Sequence, residues 1–179
     1  LAYLSDKGGE YRLAIVPSKG GEPTYYDLGD APAYYYAPQW SPDSKKLAYT
    51  DNRHSIWVLD VASKKNTKVD TTPYENPTLT MNPSWSPDSR RVAFVSYQPV
   101  GKVTQVTDGL SDAFSPNFDR GGKYLYFGAS TNSATGSAWL DLSSYRSINR
   151  TASIYCAVLR KDLPSPLAPQ SDDEAAPPK

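Results

Sequence analysis

An all-β fold built from repeated sheets is what this sequence predicts, and three observations carry the prediction. One phrase recurs along the chain, short β-rich runs alternate with Pro, Asp and Gly turns, and no segment sustains the apolar period of a helix. The clearest copies are Trp40-Ser41-Pro42-Asp43-Ser44-Lys45-Lys46-Leu47-Ala48-Tyr49 and Trp85-Ser86-Pro87-Asp88-Ser89-Arg90-Arg91-Val92-Ala93-Phe94. A diverged copy is Phe118-Asp119-Arg120-Gly121-Gly122-Lys123-Tyr124-Leu125-Tyr126-Phe127. Leu1-Ala2-Tyr3 matches the tail end of a fourth, so the 179 residues are expected to be a piece of something longer.

Each copy has a physical reading. A short strand ends in Trp40, Trp85 or Phe118. Pro-Asp-Ser or Arg-Gly-Gly then makes a tight turn, because Pro presets φ, Asp bonds back to the backbone and Gly tolerates positive φ. A β-rich strand follows, Lys46 to Thr50 or Arg91 to Ser96. In the best-preserved unit a third strand is expected from Ser55 to Val61, a turn at Ser63-Lys64-Lys65-Asn66, and a fourth strand from Thr67 to Asp70. Four antiparallel strands per repeat, recurring every 40–50 residues or so, is the composition of a β-propeller blade.

The spacing also exposes a defect. Tyr3, Tyr49, Phe94 and Phe127 are equivalent and lie 46, 45 and 33 residues apart. The deficit falls between Tyr97 and Gly101, where a third strand belongs. Either that blade is truncated or residues near Val100–Gly101 are not true neighbours; the second is expected, because a blade without its third strand leaves the fourth unpaired, and a Cα–Cα gap well above ~3.8 Å would reveal it. Counting the incomplete first unit, the chain is expected to hold a partial β-propeller of three and a half to four four-stranded blades. The propeller spans residues 1–169, with units at 1–30, 31–72, 73–108 and 109–169. A half-ring leaves sheet faces and a blade edge unsatisfied, so residues outside these units are expected to close it. The acidic, Pro/Ala-rich stretch 170–179 reads as a linker or tail.

Composition narrows the function. Nineteen basic residues against 19 acidic ones exclude a broad electrostatic nucleic-acid binder. The longest apolar run, Ile154 to Leu159, is far short of the ~20 residues of a membrane span, and no membrane partner is expected. The single Cys156 excludes an internal disulfide framework and any multi-cysteine metal site. There is no P-loop, His/Cys pair or calcium-loop spacing, so neither cofactor nor metal ligands are assigned.

Catalytic residues are likewise assigned to none of the candidates. Asp43 and Asp88 recur once per unit, which suits turn capping and not chemistry. Trp40, Trp57 and Trp85 are read as packing between blades, while Trp139 lies outside the repeat frame. The one histidine, His54, follows Asp51-Asn52-Arg53 in a turn and is read as a solvated loop residue. Ser111 has no Gly-x-Ser-x-Gly context, and Cys156 is read as a buried, inert thiol. The one candidate contact surface is Tyr25, Tyr26, Tyr34, Tyr35 and Tyr36, crowded into a Pro-punctuated connection between blades. Tyrosines offer broad amphipathic area to a peptide or a neighbouring domain. Rim packing between blades is the simpler reading of the same cluster.

The Trp-Ser-Pro-Asp-Ser units resemble the TolB-type propeller repeats also found in tricorn proteases, a motif that several propeller families share. More telling is the succession Thr104-Gln105-Val106-Thr107-Asp108-Gly109, Tyr124-Leu125-Tyr126-Phe127-Gly128-Ala129, Trp139-Leu140-Asp141-Leu142 and Arg160-Lys161-Asp162-Leu163-Pro164-Ser165-Pro166. It is similar to the end of the second, seven-bladed propeller of bacterial tricorn-like proteases. That resemblance implies a large cytoplasmic, homo-oligomeric serine protease with two propellers, a PDZ domain and catalytic subdomains, acting on peptides left by other proteolytic machines. The family's catalytic Ser and His lie outside the matched region, so none is carried over. This chain would then guide or filter peptides toward catalytic domains of its own parent chain. The alternatives are a TolB-like propeller that docks protein partners and, less well matched in the tail, the propeller of a prolyl-oligopeptidase-type enzyme.

Overall fold

The computed structural model describes residues 1–72, 81–96, 101–109, 113–129 and 152–168, and within them every regular element is a strand. Four antiparallel meanders follow one another. The first joins β1 (Ala2–Ser5), β2 (Arg12–Ile15) and β3 (Thr24–Tyr26), and the second joins β4 (Tyr35–Trp40), β5 (Lys46–Asp51), β6 (Ser55–Asp60) and β7 (Lys65–Thr71). The third is β8 (Ser84–Trp85) with β9 (Val92–Ala93), and the fourth joins β10 (Ala113–Phe118), β11 (Tyr124–Ala129) and β12 (Ser153–Val158). The chain is therefore all-β with propeller-type sheets, and the second sheet shows the complete four-strand blade.

The repeated phrase forms the same corner three times. β4, β8 and β10 end in Trp40, Trp85 and Phe118, and the following turn closes with an amide-to-carbonyl bond: Ser44 to Ser41, Ser89 to Ser86, Gly122 to Asp119. The residue that donates sits at φ 58°, 60° and 65° respectively, the left-handed region that favours glycine. Ser41 Oγ donates to Asp43 Oδ1 (2.6 Å) and accepts from Lys46 N (2.9 Å), while Asp43 Oδ1 also accepts from Lys45 N (3.1 Å). Ser86 and Asp88 repeat this pattern. In the diverged copy Asp119 stands where Ser41 does and takes both roles alone, accepting from Lys123 N and Tyr124 N.

A second repeated corner lies upstream, and the sequence reading did not single it out. Ala37-Pro38-Gln39-Trp40, Asn82-Pro83-Ser84-Trp85 and Ser115-Pro116-Asn117-Phe118 occupy equivalent places. The residue before each proline has positive φ, 49°, 42° and 50°, and the β4–β5 and β10–β11 registers shift there. A bulge before the aromatic residue bends each of these two strands.

The sheets pack face to face in chain order. Between the first and second lies a core of Leu13, Tyr26, Leu28, Tyr35, Leu47, Tyr49, Trp57 and Leu59. Burying one such side chain is worth about 1.5–3 kcal/mol, so this layer holds the two sheets together. Strand period two explains the selection: Leu47 and Tyr49 face the first sheet, while Ala48 takes the opposite face. The second and third sheets are joined by Trp85 Nε1 donating to Gln39 O (3.1 Å) and Asp43 N donating to Ser89 Oγ (3.0 Å). β8 lies beside β10, as β1 lies beside β4.

The expected gap near Val100–Gly101 falls largely on residues 97–100, outside the described residues, as do Trp139, Ser111 and the tail 170–179. Residues 101–109 carry no strand, and Gly101 N donates instead to Asp70 Oδ1 (2.8 Å), against β7. The strand expected over Arg91 to Ser96 is confined to Val92–Ala93, with Val95 N bonding Met81 O at 2.8 Å beyond it.

Candidate functional site

The tyrosine cluster divides by strand alternation. On β4, Tyr35 turns inward and is 4% exposed, while Tyr36 turns outward and is 50% exposed. On β3, Tyr26 belongs to the core and Tyr25 lies half-buried on the opposite face, with the Arg12 guanidinium 5.2 Å from its ring centre. Tyr34, just before β4, is 57% exposed and tilts against Tyr11 at 5.3 Å between ring centres. Thus Tyr26 and Tyr35 hold two sheets together, while Tyr34, Tyr36 and part of Tyr25 are open to solvent. Tyr11, absent from the expected set, completes the accessible aromatic pair. Nothing local to Glu10-Tyr11-Arg12 signals it, because its partner Tyr34 lies 23 positions away, just before the next sheet.

Beneath that surface the inward tyrosines are fixed by their hydroxyls. Tyr35 Oη contacts Leu28 O (2.6 Å) and Ala31 O (2.9 Å), fastening the connection between the first two sheets. Tyr49 Oη donates to Asn66 Oδ1 (2.7 Å) and accepts from Gly29 N (2.8 Å). Burial raises the ionisation of both phenols above the usual tyrosine value, as the charged form would lose its water; the neighbouring Asp51 carboxylate adds to the effect. Tyr35 meets Tyr49 edge-on at 5.6 Å, and Tyr49 lies parallel to Trp57 at 6.4 Å. Lys68 Nζ stands 4.7 Å from the Trp57 ring centre and pairs with Asp30 at 3.0 Å.

Asp51 is a buried acid, 7% exposed, at the end of β5. Its Oδ1 accepts from Arg53 N and Ser55 N, and its Oδ2 accepts from Trp57 Nε1, each at 2.8–2.9 Å. Its donors are two amides and an indole, so the group shapes the β5–β6 turn and offers no base to a substrate. His54 sits at the left-handed position of that turn, φ 57°, half-buried. Its Nδ1 is enclosed without a hydrogen-bond partner, which corrects the expectation of a solvated ring and leaves it without the orienting contact a triad base needs. Cys156 is also half-buried rather than buried, opposite Tyr126 across β11 and β12.

The repeated acids behave as turn caps. The Ser41 hydroxyl, then the Lys45 amide, hold Asp43 below its usual carboxylate range; Ser86 and Arg90 do the same for Asp88. The Tyr124 amide leads the equivalent effect at Asp119. Among the described residues no group of three or more His, Cys, Asp or Glu converges as a metal site would, and no helix is long and apolar enough to cross a membrane.

No known protein-family profile matches the chain. A curated protein of Sulfurisphaera tokodaii, named as a tricorn-like protease C-terminal subunit, is 32% identical over 96 residues, which is 49% of this chain and 11% of that protein. A tricorn protease homolog of Saccharolobus solfataricus is 29% identical over 95 residues, 49% of this chain and 9% of its own length. The matches thus span about a tenth of either relative. Among solved structures, the tricorn protease superposes on 72% of this chain and 14% of its own, with a TM-score of 0.59 and 16% identity, a likeness of fold. The resemblance carried by the Trp-Ser-Pro-Asp-Ser units is therefore met both by sequence relatives and by a solved fold.

Proposed function

We propose that this chain forms part of a propeller of a tricorn-like protease and that the propeller guides or filters peptides toward catalytic domains elsewhere in that protein. The supporting observation is the combination of propeller-type sheets bearing the Trp-Ser-Pro-Asp-Ser corners with curated relatives named for the tricorn protease. The described side chains fit a guiding role, since the accessible residues of the cluster are the aromatics Tyr11, Tyr34 and Tyr36, which contact an extended chain without selecting its sequence. On this reading the whole protein is a cytoplasmic homo-oligomeric serine peptidase, and its nucleophile and base lie outside these residues.

The test compares an intact protease with a variant lacking this region, on short peptides and on a folded protein carrying the same cleavage sequence. Guiding predicts slower peptide turnover, and filtering predicts faster attack on the folded substrate. Unchanged rates on both would remove the proposal.

A further inference from the structure

The zero net charge of the chain hides an uneven distribution along the sheets. Each repeated corner carries two cations and one carboxylate: Lys45 and Lys46 with Asp43, Arg90 and Arg91 with Asp88, Arg120 and Lys123 with Asp119. The β6–β7 turn comes to the same end, since Lys46 stands opposite Asp60 and Asp60 opposite Lys65, and Lys64 and Lys65 again outnumber the acid. In the fourth sheet Leu159 N bonds Lys123 O (3.0 Å), which brings Arg160, Lys161 and Asp162 to that end too. The turns at the opposite end of the first two sheets carry no such surplus. There Asp6 and Glu10 balance Lys7 and Arg12, and Asp51 balances Arg53.

The three corners form one continuous row. Asp43 N donates to Ser89 Oγ (3.0 Å), joining the corner after Trp40 to the corner after Trp85. A Cβ on Gly122 would stand 3.5 Å from Pro87 Cδ, so the corner after Phe118 packs against the same neighbour. The carboxylates of the row are already engaged, Asp43 and Asp88 by a serine hydroxyl and an amide each, and Asp119 by three amides. Its cations are not. Lys45, Arg90, Arg120 and Lys123 are exposed and make no ion pair among the described residues, and Arg91 stands 3.7 Å from Asp88.

We propose that this row of corners binds acidic peptide segments, so that the peptides brought to the propeller are preferentially those carrying spaced carboxylates. Two cations less one carboxylate leave one net positive charge per sheet, and sheets stacked face to face lie ~10 Å apart. An extended peptide advances ~3.3–3.6 Å per residue, so carboxylates about three residues apart meet successive corners. A nucleic-acid strand carries a phosphate every ~3.4 Å, which would set most of its charges against no cation and some against the three aspartates. Charge of this sparse kind selects the sign of a partner and speeds its arrival more than it tightens the final complex. The row follows β4, β8 and β10, edge strands of their sheets that are linked by Trp85 Nε1 to Gln39 O and by the approach of β8 to β10. A place for it beside the path of a substrate rests on the guiding role proposed above.

The experiment follows binding by stopped-flow fluorescence anisotropy in the longer protein that carries these residues. The probes are a labelled peptide with Glu at every third position, the same peptide with Gln there, and a single-stranded DNA of matching length. The Glu peptide should bind about tenfold tighter than the Gln peptide at low salt, and the gap should close as salt rises. A variant combining Lys45→Gln, Arg90→Gln and Lys123→Gln should lose the preference, whereas Lys45→Arg with Lys123→Arg should keep it. Arg90→Gln alone should lower it about twofold, which keeps the test open if the triple variant does not fold by circular dichroism. Equal affinity for the two peptides, a preference untouched by the substitutions, tighter binding of the DNA than of the Glu peptide, or no binding of any probe would each overturn the proposal. The readout is binding and not turnover, so the corners can fail this test while removal of the whole region still alters cleavage, and the reverse.

Discussion

The indole nitrogen of Trp57 donates to Asp51 Oδ2 at 2.8 Å, binding the third strand of the second sheet to the carboxylate that ends its second strand. The same carboxylate receives Arg53 N and Ser55 N, so one side chain satisfies three donors at a corner where the backbone turns through His54. Asp51→Ala leaves all three unpaired in a buried place and should destabilise the chain by about 2–4 kcal/mol. Asp51→Asn keeps one acceptor oxygen and should cost less. Trp57→Phe, which strands Oδ2 alone, should cost about 1–3 kcal/mol. Urea denaturation of the three variants orders them, and an alanine variant no weaker than the asparagine one would contradict the assignment.

The two serine positions at φ near 60° should respond oppositely to glycine. Ser44 is exposed, and glycine relieves its left-handed backbone, so Ser44→Gly should be neutral or stabilising by up to ~1 kcal/mol. Ser89 is 5% exposed and its hydroxyl accepts Asp43 N from the neighbouring sheet. Ser89→Gly gains the same relief but loses that acceptor, and should be net destabilising by about 1 kcal/mol. Thermal melts of the two variants, run side by side, should shift in opposite directions.

Acid should loosen all three corners together. Asp43, Asp88 and Asp119 have folded values lowered by the hydroxyls and amides they accept, relative to ~3.9 for an unfolded aspartate. A lowered folded value gives stability that is present above the unfolded value and lost as pH falls through the folded one. Denaturation midpoints should therefore hold steady above about pH 5 and fall below about pH 4. Asp119→Asn should make the decline shallower, and a midpoint that stays level to pH 2 would count against these contacts.

Alkali should act through Tyr49. Its folded value lies well above the ~10 of a free tyrosine, so its contribution is complete below the unfolded value and is lost as pH rises toward the folded one. Tyrosinate absorbance should show a late fraction that appears only as the sheets separate. Tyr49→Phe should abolish part of that fraction, and it should cost about 1–2 kcal/mol at neutral pH because Gly29 N and Asn66 lose their partner.

Much of this architecture was legible before any coordinates, because a repeated turn is specified by a few adjacent residues. Ser-Pro-Asp-Ser fixes the corner locally, and the strand expected from Ser55 to Val61 is found from Ser55 to Asp60. What stayed hidden depends on residues far apart in sequence. The Asp51 carboxylate reads as one more turn acid until Trp57 is folded onto it. The three corners before Pro38, Pro83 and Pro116 share only proline and a later aromatic residue, too little to distinguish from chance in one sequence. Tyr34-Tyr35-Tyr36 was readable in principle. Once β4 is recognised as a strand, its period of two sends Tyr35 in and Tyr36 out, and the apparent cluster becomes one core ring flanked by two surface rings.

That division gives the sharpest test of the candidate contact surface. Tyr35→Ala removes a ring that meets Tyr49 edge-on and carries two carbonyl contacts, so it should cost about 3–5 kcal/mol, as loss of a large core aromatic does. Tyr34→Ala and Tyr36→Ala remove rings that are half or more in water and should change stability by no more than ~0.5 kcal/mol. If the longer protein is the proposed protease, if Tyr34 and Tyr36 touch passing peptides, and if its catalytic site lies farther from them than a short substrate can span, the double alanine variant in that longer protein should raise KM for long peptides several-fold and leave short ones unchanged. Tyr35→Phe keeps the ring and serves as the control: it should lower stability without altering KM. Equal KM values for long peptides in the wild type and the double variant would confine these tyrosines to a structural or interdomain role.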